Sequence, residues 1–115
     1  LQLYAAVAAE PLPADLPGRA MQLAVIHREL RGSAHLAAVI VAGVHPSVAH
    51  AIRRPNDIGT FGWPDDLMIT DDDRLNLVAA DAATDKLSAG HYAGLSDEQR
   101  SAFVTGIDAM GDILL

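Results

Sequence analysis

Two histidines and two arginines fall within nine residues, His27-Arg28-Glu29-Leu30-Arg31-Gly32-Ser33-Ala34-His35, between two apolar runs. Such groups are not buried without partners, because an unpaired buried charge costs several kcal/mol or shifts its pKa. On a helix turning about 100° per residue, His27, Arg28, Arg31 and His35 share one arc roughly 100° wide. Ala20, Ala24, Ala38 and Ala42 extend the same arc above and below, which marks a face that something approaches closely. Glu29 lies off the arc, so it is not expected to neutralise the arginines.

Two chemistries fit that stripe. In the first it is a pocket for a small polar or anionic ligand. Arg28 and Arg31 would donate hydrogen bonds, His27 or His35 would act as acid, base or donor, and Trp63 would close the pocket. In the second it is a brace, with the same side chains bonding carboxylates and carbonyls of adjacent helices. The functional expectation is the ligand pocket. An enzyme is a further alternative, with His27 or His35 as general base and Arg28 or Arg31 stabilising an oxyanion. No nucleophile or cofactor loop accompanies it, so no cofactor is expected; Ser33, Ser47 and Ser88 lack a nucleophile's surroundings. No metal centre is expected either. His27 and His35 stand eight residues apart, about 12 Å along an axis, so one helix cannot aim both at one ion.

A second constellation, Leu36 to Arg54, has the rhythm of a helix-turn-helix: an apolar helix, Gly43 at the turn, Val44 inward, then a short helix with Ala49 and Ile52 inward. His50, Arg53 and Arg54 would then be exposed for base and phosphate contacts, which makes DNA binding the alternative function. Asp71-Asp72-Asp73 lacks the spacing and the glycine of a calcium loop and reads as a solvated helix start. Phe61 and Trp63 read as plugs over a helical core.

The elements that must position these residues follow from caps and periodicity. Leu1 to Glu10 reads as a helix without a start, closed by Pro11 and Pro13. It is taken as the tail of a preceding helix, so that residues 1–115 form a single helical domain and the C-terminal half of a longer protein. Asp15 caps the next helix with Pro17 in its first turn. Leu23, Ile26, Leu30, Ala37 and Val41 are expected inward, and the helix is expected to run through Gly32-Ser33 to Gly43. His45-Pro46 opens a short helix to about Arg54, and residues 55–70 form a long loop. Thr70 caps a helix with Leu75, Val78, Ala79, Ala82 and Leu87 inward. His91-Tyr92 makes an interhelical turn. Ser96 to Gln99 forms a capping box for a last helix with Phe103, Val104, Ile107, Met110 and Leu114 inward. No strand pattern survives; the expected fold is an all-α bundle of about five to six helices with no sheet.

Composition agrees. Half of the residues are hydrophobic but only five are aromatic, which favours closely packed helices over a sheet. The absence of cysteine excludes disulfides, thiolate metal sites and cysteine nucleophiles. The longest apolar run, Leu36 to Val44, is about half a membrane span, so no membrane partner and a cytoplasmic location are expected. The net charge of −7 is unevenly spread: residues 1–54 hold five Arg and three acids, residues 55–115 three bases and twelve acids. Attraction to nucleic acid is therefore disfavoured for the whole chain but not for its first half. The missing N-terminal half or a second protomer is expected to pack on the helices.

Arg28-Glu29, Arg31-Gly32, Ala34-His35-Leu36, Ala42-Gly43, Phe61-Gly62-Trp63-Pro64, Thr84-Asp85-Lys86-Leu87 and Tyr92-Ala93 together resemble an uncharacterised actinobacterial family described as helix-turn-helix-like and all-helical. The resemblance covers roughly residues 12–105. It departs at Leu30, where family members often have a histidine. It implies an all-α structure, a longer parent protein and a polar motif, and no specific activity.

Overall fold

The computed structural model describes residues 2–114. Among them lie five α-helices, α1 (Gln2–Ala8), α2 (Leu16–Val41), α3 (Pro46–Arg53), α4 (Asp71–Ala89) and α5 (Asp97–Leu114), with 3-10 turns at Pro55–Phe61 and Gly90–Tyr92 and no strand. The expected all-α bundle is the observed fold.

The helix starts follow from side chains next to the backbone. The Asp15 carboxylate accepts from Gly18 N–H at 2.7 Å. A Cβ at Gly18 would lie 2.8 Å from that carboxylate, so the cap needs a glycine there. From this start α2 runs 26 residues without a break at Gly32-Ser33, about 39 Å long. Thr70 and Asp73 form the capping box of α4, with Asp73 N–H reaching Thr70 Oγ1 at 3.1 Å and Thr70 N–H reaching Asp73 Oδ2 at 2.9 Å. The same bonds from Thr70 lower the Asp73 pKa. Ser96 and Gln99 cap α5 in the same reciprocal way.

α1 and α4 both pack antiparallel to α2. Gln22 Nε2 donates to Val7 O at 3.4 Å and ties α1 down. Along α4 the partners climb as those on α2 descend, from Ala38 beside Ala80, through His35 with Thr84 and Arg31 with Asp85, to His27 with Tyr92 just beyond the helix. The core sits where α2, α3 and α4 meet: Ala38, Val39, Val44, Val48, Ala49, Leu77 and Ala80, with Ala42, Ile52 and Ile69 packed against it. Full burial of a side chain such as Leu77 contributes about 1.5–3 kcal/mol.

Three inward faces differ from the sequence expectation. On α2 the buried residues are Ala34, Ala38 and Val39, while Leu23, Ala37 and Val41 are exposed; Ile26 and Leu30 are half-buried. On α4 they are Leu77, Ala80 and Thr84, whereas Leu75, Val78, Ala79, Ala82 and Leu87 face outward. Leu77, Ala80 and Thr84 form the α4 face that packs where α2 and α3 meet, while Ala79 and Leu87 only border the α2 alanines at its edge. On α5, Phe103 and Ile107 lean on Ala20, Leu23, Ala24 and His27 of α2 but keep much of their surface exposed, and Val104 points away. The Leu114 side chain lies outside the described residues, as does Leu1.

The body is open. Its radius of gyration is 16.8 Å, against roughly 13 Å for a compact domain of this length. Its accessible surface is 8241 Å², against about 6,000 Å² for a compact monomer of this mass.

Candidate nucleic-acid interface

The turn after α2 is built from its residue types. Ala42 N–H reaches Ala38 O at 2.9 Å, Gly43 N–H reaches Ile40 O at 3.0 Å, and Val44 N–H reaches Val39 O at 3.1 Å. These last two bonds define a Schellman motif, whose C′ residue must adopt a left-handed conformation. Gly43 does so, with φ at +77°. The motif's apolar contact is Val44 on Val39, each only 2% exposed. The chain then turns 113° into α3. Two helices at roughly 90–120°, joined by a short turn containing glycine, are the geometry of a helix-turn-helix.

His45 caps α3. Its Nδ1 accepts from Ser47 N–H at 3.3 Å and from Ser47 Oγ–H at 2.7 Å, and Pro46 occupies the first turn, where no N–H is needed. The helix ends at Arg53 because Pro55 disfavours helical backbone at Arg54, which sits at φ −137°, ψ 65°. Ser47, Val48 and Ala51 point into the core. Pro46, His50 and Arg53 lie on the opposite face, with Arg54 just beyond.

The segment expected as a loop over residues 55–70 begins instead with a 3-10 turn at Pro55–Phe61, which brings the aromatic pair onto α3. Phe61 and Trp63 stack with centroids 5.1 Å apart, and the His50 ring meets both edge-on at 4.8 and 5.2 Å. His50 is therefore half-buried, its Nε2 enclosed without a hydrogen-bond partner among the described residues. The expectation that His50 is exposed for base contacts does not hold. Arg53 and Arg54 are exposed as expected. Trp63 covers His50 rather than closing over the 27–35 stripe; from that stripe it meets only His35, across a cleft of about 300 Å³ that Val39, Ala49 and Arg53 also line.

The 27–35 stripe faces its neighbours. The Tyr92 hydroxyl lies 2.8 Å from His27 Nδ1, and Phe103 stands edge-on to the same ring at 5.2 Å, so His27 anchors the end of α4 and the start of α5. Arg31 reaches Asp85 at 4.0 Å. Arg28 pairs with Glu29, its neighbour in the chain, although Glu29 lies off the arc. The Thr84 hydroxyl donates to Ala80 O at 2.7 Å and so accepts from His35 Nδ1–H at 3.2 Å. Asp81 lies 3.8 Å from the same nitrogen and pairs with Arg53 of α3. Burial, then the charges of Arg31 and Arg53, lower the His35 pKa. One row of contacts thus links α4, α2 and α3. Beside it, Arg28, Arg31 and Arg54 line a single open concavity of about 560 Å³.

This geometry defines a helix-turn-helix protein braced by a fourth helix. A model of a helix-turn-helix family matches residues 2–75, and the chain belongs to that family. No curated protein and no solved structure matches it. The membership corrects the expectation of a small-molecule pocket at His27, Arg28, Arg31 and His35, and the contacts above give the physical reason: His27 and His35 are engaged by Tyr92 and Thr84. No single helix among the described residues is long and apolar enough to cross a membrane.

The asparate clamp on Arg53 was not read from the sequence. Asp81 lies 28 positions from Arg53, and no periodicity links α3 to the outward-turning flank of α4.

Proposed function

We propose that the chain is a DNA-binding module in which α3 reads the duplex and the flanking arginines hold its backbone. The observation that carries this reading is the glycine-closed 113° turn with Arg53 and Arg54 exposed beyond it. In such motifs the second helix lies in the major groove while the first crosses the backbone. Arg53 is the base-facing candidate on α3. Arg54, with Arg28 and Arg31 of α2, supplies the phosphate contacts, since all three border one concavity. Charge distribution along the chain agrees: residues 1–54, which hold all four of these arginines, carry a net positive charge, although Asp81 and Asp85 of α4 pair with Arg53 and Arg31 at the same surface.

The test is fluorescence anisotropy with a random-sequence duplex pool at several salt concentrations. Affinity should fall as salt rises, with a log–log slope of about −0.9 per phosphate neutralised, and Arg54→Ala should flatten that slope by about one unit. No binding to the pool at low salt would remove the proposal.

A further inference from the structure

We propose that Asp81 orients Arg53 to read the edge of a guanine, so that the module selects duplexes carrying that base. The inference rests on the DNA-binding reading above and deepens it. Arg53 is the only arginine on the outward face of α3, and its Nη2 is paired with Asp81 Oδ2 across the helix junction. Asp81 is itself placed by buried structure: it stands beside His35 Nδ1, and His35 is held by Thr84, which is 0% exposed and bonded back to Ala80 O.

The Arg53 and Asp81 side chains are 52% and 35% exposed, and ion pairs that open to water contribute little to stability. What the pair does is hold a long, rotamer-rich side chain in one direction. A guanidinium carries five N–H donors in a rigid fork, so pairing with one carboxylate oxygen leaves its other Nη hydrogens free to donate. Guanine presents O6 and N7 as two adjacent acceptors in the major groove, the arrangement such a fork matches; adenine replaces O6 with a donor. Arg54 has no such carboxylate partner within ion-pair distance among the described residues, which suits phosphate rather than base contact.

The experiment uses the full chain and the best duplex recovered from a random pool. Each guanine is replaced in turn, by adenine with its pairing partner changed and by 7-deazaguanine, which lacks the N7 acceptor. At one position the wild-type protein should lose roughly 5- to 150-fold in affinity. Arg53→Lys, which keeps the charge but not the fork, should abolish that preference. Asp81→Asn should also abolish it while non-specific affinity holds or rises, because a negative charge leaves the interface. Two outcomes overturn the inference alone: salt-dependent binding indifferent to every guanine, or Asp81→Asn tightening all duplexes equally with the preference intact, which would make Asp81 a mask over Arg53. Absence of any duplex binding would instead remove the DNA-binding reading itself.

Discussion

Replacing Thr84 with valine isolates the bond on which the α2–α4 contact turns. The two side chains have nearly the same shape, and the residue is 0% exposed, so the change removes a hydroxyl without opening a cavity. Thr84 Oγ1 makes two bonds, to Ala80 O at 2.7 Å and from His35 Nδ1–H at 3.2 Å. Loss of the first leaves Ala80 O with its helical backbone partner. Loss of the second strands a half-buried N–H, whose alternative acceptor, Asp81 Oδ1, stands at 3.8 Å and is beyond hydrogen-bond range. One lost bond with partial desolvation costs about 1–2 kcal/mol. For a domain of this length each kcal/mol moves Tm by roughly 4 °C, so a fall of about 4–8 °C is expected by calorimetry. The imidazole nitrogen resonances give a second reading. At pH 8 the wild-type His35 should carry its proton on Nδ1, and Thr84→Val should release that tautomer. An unchanged Tm together with an unprotonated Nδ1 in the wild type would refute donation from His35 to Thr84.

Two further perturbations probe the turn and the histidine. Gly43→Ala places a Cβ in open space, with no atom within 4 Å, so only its φ of +77° opposes it. The left-handed backbone then costs about 1–2 kcal/mol, and an unchanged urea midpoint would argue against the Schellman turn. His35 is held neutral in the fold by burial and by Arg31 and Arg53, so its folded pKa lies below 6.5. The unfolded chain therefore binds this proton at higher pH than the folded one, and its contribution to stability is full above 6.5 and is lost as pH falls below it. Urea unfolding at pH 7.5 and 5.5 should show a larger acid loss for the wild type than for His35→Gln; equal losses would sink the assignment.

Local chemistry was legible in the sequence wherever a few neighbouring residues decide it. Asp15, Thr70 and Ser96 cap the helices they were expected to cap. Gly43 ends α2 because only a residue free to adopt positive φ closes that turn, and Val44 turns inward as expected. Of the alanine-framed arc on α2, Ala38 is buried against α4 and Ala24 and Ala42 are half-buried, while Ala20, Arg28 and Arg31 stay exposed. What approaches it was not legible: α4 presents one apolar face of Leu75, Val78 and Ala82 and another of Leu77, Ala80 and Thr84, and a helical wheel alone does not choose between them.

The sequence by itself therefore determined the helices, their caps and the glycine turn, because each depends on backbone hydrogen bonds made within a few residues. Only the tertiary structure decided the rest. Packing of Ala38 against Ala80 brought α4 beside the 27–35 stripe, where Thr84 meets His35 and Asp85 meets Arg31. The 3-10 turn folded Phe61 and Trp63 over His50 and took that residue out of the reading face. Asp81 met Arg53 for the same reason: partners far apart in sequence are selected by which surfaces fit, and that is a property of the packed helices together.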